Sequence, residues 1–106
     1  MTRTTQLSQC LALFSQFNPT SFPAHHAELF LYVARHEPCS YLEIEQAFNL
    51  SNSTVSRAVR ALGNTHWKGY TGHDLLETIQ DPERPKRLLI RLTDRGRQLV
   101  KDIRAI

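Results

Sequence analysis

The sequence predicts a mainly α-helical domain that carries a small β-hairpin, with its elements in the order α-α-α-α-β-β-α. Three observations predict this class. Apolar residues recur at helical spacing through residues 4–62. A proline-containing turn then separates two short runs rich in apolar residues, and a further helical pattern follows them. The 106 residues have the size of one domain, so residues 1–106 are assigned to a single unit.

Two helices are predicted before residue 40. Residues 4–17 place apolar side chains three and four positions apart, which indicates an amphipathic helix and a possible dimer element. These side chains are Leu7, Cys10, Leu11, Phe14 and Phe17. The second segment, between Pro23 and Pro38, contains an unbroken apolar run at 29–34. Such a run is compatible with a buried strand, but the length of the segment and its flanking prolines favour a helix buried on more than one side.

Residues 40–62 are predicted to form two short helices around a tight turn. Ser40 and Glu43 make a capping box, in which each side chain bonds the backbone N–H of the other residue. The inward residues of this helix are expected to be Leu42, Ile44, Ala47 and Phe48. After a turn at 49–50, Ser51 caps the second helix, which ends at Gly63. Its expected core residues are Val55, Ala58, Val59 and Leu62.

A hairpin over residues 75–92 and a closing helix over 93–106 complete the prediction. The predicted strands are Leu75 to Gln80 and Arg87 to Leu92. Pro82 and Pro85 lie in the turn between them, and Thr93 caps the last helix. Two short helices around a tight turn, followed by a hairpin, define a winged helix-turn-helix.

The net charge of +3 is unevenly distributed. Residues 1–50 carry two basic and four acidic side chains, whereas residues 51–106 carry eleven basic and six acidic ones. A basic excess confined to one half of a chain is typical of proteins that bind a polyanion, most often nucleic acid. Many solvated faces are also basic, so this feature indicates a partner only together with the motifs.

The helix after Ser51 is the first candidate DNA-binding element. Its polar face contains no acidic residue. Small hydroxyl and amide groups let a helix approach the floor of the major groove, and arginine reads guanine or holds a phosphate. A solvated polar face is the alternative, since every surface helix has one. The candidate residues here are Asn52, Ser53, Thr54, Ser56, Arg57 and Arg60.

The turn of the hairpin is the second candidate element. Arg84, Lys86 and Arg87 surround a tip that two prolines stiffen. Narrow minor grooves attract such cations, although a charged hairpin also serves simply to keep a sheet edge soluble. Lys68 lies between the helix after Ser51 and the hairpin and is a further candidate for a contact with a flanking phosphate.

Two stretches resemble the MarR family of bacterial winged-helix regulators. They are LSNSTVSRAVRAL at 50–62, with its Thr-Val-Ser-Arg core, and DPERPKRLLIRLTDRG at 81–96. The resemblance implies a homodimeric transcriptional regulator that binds double-stranded DNA in the cytoplasm. One recognition helix would enter the major groove of each half-site, and the wing, which is the hairpin at 75–92, would enter the minor groove. Ser53, Thr54, Ser56 and Arg57 fall where the family contacts DNA, and Lys86 falls in its wing.

Three features depart from that family. Arg84-Pro85-Lys86 stands where the wing usually reads Asp-Arg-Arg, which puts the usual Asp–Arg support of the wing in question. An insertion spans Asn64 to Asp74, a form similar to small members carried by phages and other mobile elements. The chain reaches only Ile106, so a dimer is expected to use the first and last helices rather than the family's long C-terminal helix.

The sequence contains no motif for an enzyme, a metal or a cofactor. Its five histidines form no HExxH or Cys/His cluster, and GxSxG, Walker A and GxGxxG motifs are absent. Cys10 is interpreted as a packed thiol and Cys39 as a more exposed one. No apolar run approaches the roughly 20 residues of a membrane span, so no membrane partner is expected.

Several functional questions stay open on the sequence alone. Repression is favoured over activation because a short chain offers little surface for recruiting polymerase. No pattern predicts a small-molecule effector. The alternatives to a regulator are a winged helix that docks an acidic protein and an accessory module in replication or partition.

Overall fold

The computed structural model describes residues 2–17, 22–63 and 72–106. In these residues five helices and three strands follow one another along the chain. They are α1 (Arg3–Ser15), α2 (Ala24–His36), β1 (Cys39–Ser40), α3 (Tyr41–Phe48), α4 (Asn52–Leu62), β2 (Leu76–Gln80), β3 (Leu88–Leu92) and α5 (Asp94–Arg104). The predicted class, mainly helical with a small hairpin in a winged helix-turn-helix, is confirmed.

The sheet has one strand more than the sequence predicts. Its order is β1-β3-β2, and both pairings are antiparallel. β2 and β3 form the expected hairpin, whereas β1 pairs with the other edge of β3 through Cys39 opposite Ile90. A two-residue strand is too short to show the alternation by which strands are recognised in a sequence.

Hydroxyl caps begin three of the helices where the sequence places them. The side chains of Ser40, Ser51 and Thr93 each accept a hydrogen bond from the backbone N–H three residues further on, at 3.1, 3.2 and 3.0 Å. Asn49 ends α3 in the left-handed conformation, with φ of 53°, which turns the chain sharply into α4. Local hydrogen bonds therefore fix the orientation of α4 relative to α3.

The core is built around α2 and α4. Leu29, Phe30 and Val33 of α2 are completely buried, which confirms that the apolar run belongs to a helix covered on more than one side. The four apolar residues predicted on α4 are also all buried. Because one face of α4 is fixed in the core, its opposite face is directed away from the protein.

The predicted inward face of α3 is partly wrong. Leu42 is 59% exposed and Ala47 is exposed, whereas Ile44 is fully buried. The side chains that pack on the core beside Ile44 are Tyr41 and Phe48. Positions 41, 44 and 48 form one stripe at helical spacing, so residues 42 and 47 lie on its flanks.

Only the C-terminal half of α1 enters the core. Phe14 is buried and Phe17 is half-buried, but Leu7 and Leu11 are 60% and 53% exposed. The apolar stripe predicted from the sequence therefore forms one face of a helix, but Leu7 and Leu11 on that face are largely exposed in the single chain.

The expectation that Cys39 is exposed is wrong. Its pairing with Ile90 buries the side chain completely. Burial, followed by the negative charges of Glu43 and Glu37, raises the pKa of the thiol to about 11. The thiol is therefore protonated near neutral pH and is not a reactive group.

Candidate nucleic-acid interface

The face of α4 opposite the core carries most of the predicted DNA-binding residues. Asn52, Ser53, Arg57 and Arg60 are exposed, and Thr54 and Ser56 are half-buried. All six belong to a single helix of eleven residues. Their side chains are thus held on one rigid element rather than on a loop.

The N-terminus of α4 has a hydroxyl network that the sequence predicts only in part. The hydroxyl of Ser51 accepts from the backbone N–H of Thr54 and lies 2.9 Å from the Thr54 hydroxyl and 3.1 Å from that of Ser53. The capping residue therefore also orients two of the candidate contact residues. Anions are favoured at this end of a helix, where backbone N–H groups and the helix dipole present positive charge.

Asn52 is held by the preceding helix. Its side-chain amide donates to Glu45 of α3 at 3.3 Å. An acidic side chain consequently lies next to the polar face of α4, although α4 itself contains none. The spacing of seven residues across a turn gives no sequence signal for this contact.

Arg57 and Arg60 form no ion pair with any residue in the described ranges. Arg60 borders a cleft of about 260 Å³ together with Tyr41, Thr78 and Leu88. Burial raises the pKa of Tyr41, and the positive charge of Arg60 opposes that rise. Tyr41, for which the sequence gives no functional signal, therefore lies next to Arg60, one of the candidate DNA-binding arginines.

A carboxylate braces the tip of the wing. Asp81 is buried, and its Oδ1 accepts from the backbone N–H of Glu83 at 2.9 Å while its Oδ2 accepts from Arg87 Nε at 3.0 Å. The Glu83 N–H, followed by the charge and hydrogen bond of Arg87, holds the pKa of Asp81 below its usual range. The Asp–Arg support that the family pattern put in question is therefore present, supplied by residues 81 and 87.

The remaining cations of the hairpin divide into paired and unpaired groups. Arg91 is bound to Glu77 on the adjacent strand at 2.9 Å. Arg84 and Lys86 are exposed and make no ion pair within the described part of the chain. The basic character of the tip consequently comes chiefly from these two side chains. The candidate Lys68 lies outside the described residues.

The described residues contain no group of three or more His, Cys, Asp or Glu side chains placed to hold a metal ion. None of the described helices is long and apolar enough to cross a membrane.

No protein-family model matches the sequence, and no curated protein matches it either. Solved structures do match, among them the PcaV transcriptional regulator of Streptomyces coelicolor in complex with its natural ligand. It is 20% identical, and the match covers 97% of this chain and 67% of PcaV with a TM-score of 0.65. The MepR–DNA complex of S. aureus is 20% identical over 96% of this chain and 73% of MepR, with a TM-score of 0.70.

A third match is RV1404 from Mycobacterium tuberculosis. It is 18% identical over 96% of this chain and 64% of that protein, with a TM-score of 0.73. The chain thus spans about two thirds of the length of the structures to which it is similar. At these identities the likeness concerns the fold: the chain shares the winged helix-turn-helix architecture of MarR-family transcriptional regulators.

Proposed function

We propose that this chain is a sequence-specific, double-stranded DNA-binding transcriptional regulator, and specifically a repressor. The observation that carries the proposal is the exposed face of α4, on which Arg57 and Arg60 are unpaired while the opposite face is locked in the core. Support comes from the fold, which it shares with transcriptional regulators, one of them solved with DNA bound. These similar structures are not enzymes, and no catalytic role is proposed.

In this proposal α4 enters the major groove. The short side chains of Asn52, Ser53 and Ser56 allow close approach to the base edges, and Thr54 lies beside them. Arg57 is assigned to a base, because a guanidinium donates two hydrogen bonds to guanine N7 and O6. Arg60, one turn further from the N-terminus and next to Tyr41, is assigned to a phosphate.

The wing enters the adjacent minor groove through Arg84 and Lys86. Both side chains are exposed at the tip of a hairpin whose shape is fixed by the Asp81 carboxylate. Arg87 donates to that carboxylate, so its main role in the proposal is to position the tip. A narrow minor groove concentrates negative potential and so favours the two unpaired cations.

Two copies act together in the proposal, each reading one half-site. Leu7 and Leu11 present an apolar face on α1 that a second copy would cover. A two-fold dimer places two recognition helices about one turn of DNA apart, or ~10 bp. A dimer bound at a promoter in the bacterial cytoplasm would repress transcription by blocking polymerase. This blocking requires no additional surface on the protein for contact with polymerase.

The test starts with selection of duplexes from a randomised library by the purified protein. Fluorescence anisotropy then compares a selected duplex with its scrambled version at roughly 50 and 200 mM salt. We expect the selected duplex to bind at least about a thousandfold more tightly, as specific regulators do. Equal affinity for both duplexes would contradict a sequence-specific regulator and favour an accessory role on DNA, and absence of binding would favour a protein-docking module.

A further inference from the structure

A groove runs between α2 and α5, away from the residues assigned to DNA. It consists of two adjoining cavities of about 200 and 220 Å³ that share Ala34, Val100 and Arg104. Leu31 and Ile103 complete its apolar floor, and Leu31 is 37% exposed. We refer to this feature as the α2–α5 groove.

The dimensions of the groove suit a short helix. Its α2 side is formed by residues 31, 34 and 35 and its α5 side by residues 100, 103 and 104, so each side presents side chains at intervals of three and four. With Arg97 and Glu37 the lining extends over about 10 Å along the helices at 1.5 Å per residue. That length accommodates about two turns of an amphipathic helix, in which residues i, i+3 or i+4, and i+7 point to one side.

The rim of the groove is positively charged. Arg35, Lys101 and Arg104 form no ion pair with the described residues. The acidic residue of the lining, Glu37, is already engaged: it accepts two hydrogen bonds from Arg97, at 3.1 and 2.9 Å, and one from the Leu92 N–H at 3.3 Å. The three unpaired cations therefore favour an occupant with carboxylates along its edges.

The position of the groove separates it from the wing tip. Leu92, at its edge, is the last residue of β3, whereas the tip precedes the first residue of that strand. Five strand residues, or roughly 13 Å, lie between the two ends. An apolar floor is also poorly suited to a phosphate backbone, which offers no side chain to fill it.

We propose that the α2–α5 groove docks a short amphipathic helix of a partner protein, apolar on one side and rich in Asp and Glu at its edges. The apolar floor supplies affinity, and the three cations of the rim select the acidic edges. The α1 helix of a second copy does not match this description, because α1 contains no acidic residue. Its exposed leucines, Leu7 and Leu11, are assigned above to the dimer and do not line the groove.

The test uses a labelled synthetic helix of about 14 residues, with Leu at positions i, i+4, i+7 and i+11, Glu beside them and Ala elsewhere. One control peptide replaces every Glu by Lys. A second control has the same composition as the acidic peptide, but its residues are in scrambled order, so that the Leu residues no longer share one side of the helix. In anisotropy titrations of the full chain, we expect the acidic amphipathic peptide to bind roughly tenfold more tightly than either control. Its affinity should fall as salt increases, because exposed charges are screened.

Variants of the protein then locate the site. The double variant Arg35→Ser, Arg104→Ser changes exposed side chains and should weaken peptide binding about tenfold while leaving the selected DNA duplex bound as before. Arg84→Ser, the matched control, should weaken binding of the selected DNA duplex and leave peptide binding unchanged. The two readouts separate failure of the groove from failure of the proposed DNA-binding function.

Four outcomes would contradict the proposal that the α2–α5 groove docks an acidic amphipathic helix. They are no binding of the acidic peptide, equal binding of the acidic and basic peptides, peptide binding that the double variant leaves intact, and DNA binding weakened by the double variant as strongly as by Arg84→Ser. Sedimentation velocity gives one more: loss of self-association in the double variant would make the groove an interface between copies of this chain.

Discussion

Arg87 and Asp81 close the wing tip across six residues, with Nε of the arginine 3.0 Å from Oδ2 of the aspartate. The aspartate side chain is 8% exposed and the arginine side chain 46%. The same two residues are also joined by a backbone hydrogen bond, from the Asp81 N–H to the Arg87 carbonyl at 2.9 Å. A cation at the tip thus has a structural partner inside the hairpin, whereas Arg84 and Lys86 make no ion pair with the described residues and are the side chains proposed to contact DNA.

Replacing Asp81 by Asn tests this brace. The amide keeps an acceptor for the Glu83 N–H but removes the charge that holds Arg87, so the tip should lose its fixed shape. We expect affinity for the selected duplex to fall several-fold, with faster amide hydrogen exchange confined to residues 81–88 and an unchanged helical circular dichroism spectrum. Glu83→Gln removes the same charge from an exposed position and is the matched control. Because loss of a negative charge by itself favours binding to a polyanion, an equal fall in affinity with both substitutions would contradict a specific role of the brace.

His26 makes stability depend on pH. Burial, followed by the positive charges of His25 and His73, lowers its pKa to about 4, against about 6.5 in an unfolded chain. The unfolded state therefore binds more protons between these values, so the stabilisation is complete above pH 6.5 and is lost as the pH falls towards 4.

We expect urea unfolding of the protein to show a free energy of unfolding that decreases from pH 6.5 to pH 4. His26→Gln should make this decrease shallower, because the titrating group is gone. His36→Gln alters an exposed histidine and should leave the slope unchanged. Parallel slopes for the wild type and His26→Gln would show that other groups control the pH dependence.

Arg57→Ala tests base reading by α4. If the guanidinium contacts a guanine, the substitution should weaken the selected duplex by about 1–3 kcal/mol and the scrambled duplex much less. Arg35→Ala removes an exposed arginine from α2 and provides the control. Equal losses on both duplexes would instead make Arg57 a phosphate contact.

The exposed face of α1 is tested by Leu11→Asp. A charge in the centre of an apolar contact between copies should prevent association, whereas Leu11 is 53% exposed in the single chain and its replacement should not unfold it. Sedimentation velocity should show a dimer for the wild type and a monomer for the variant. Gln9→Asp adds the same charge on the other side of α1, and dissociation by that control as well would place the interface elsewhere.

The parts of the fold that the sequence predicts are those governed by local rules. The caps at Ser40, Ser51 and Thr93 depend on residues three positions apart, and the buried face of α4 follows from helical spacing alone. Leu42 is misplaced because an eight-residue helix has room for more than one apolar stripe, and tertiary packing selects the one through Tyr41. β1 is missed because the strand with which it pairs, β3, lies about 50 residues further along the chain, beyond the reach of local rules.

In the candidate site, too, the sequence predicts the features that depend on local spacing and misses those that depend on contacts between elements. The sequence identifies the polar residues of α4, since all lie on one helix, but not the contact between Asn52 and Glu45, which joins two helices. In the hairpin it identifies the cations without separating Arg87, which Asp81 binds, from Arg84 and Lys86. Residue type predicts which groups are basic, and only the folded geometry determines which remain available to a ligand.

The effect of Lys86→Ala on the salt dependence of DNA binding tests most directly whether the wing contacts phosphates. Each phosphate that a lysine neutralises releases condensed counterions, so the logarithm of the binding constant falls with the logarithm of salt by about 0.9 per contact. Lys86→Ala should therefore reduce the salt dependence for the selected duplex by roughly one unit of slope, on selected and scrambled DNA alike. Lys101→Ala, on α5 and away from the wing, should leave the slope unchanged. An unaltered slope in Lys86→Ala would remove this side chain from the phosphate contacts, and the brace between Asp81 and Arg87 would then hold a tip that points away from the duplex.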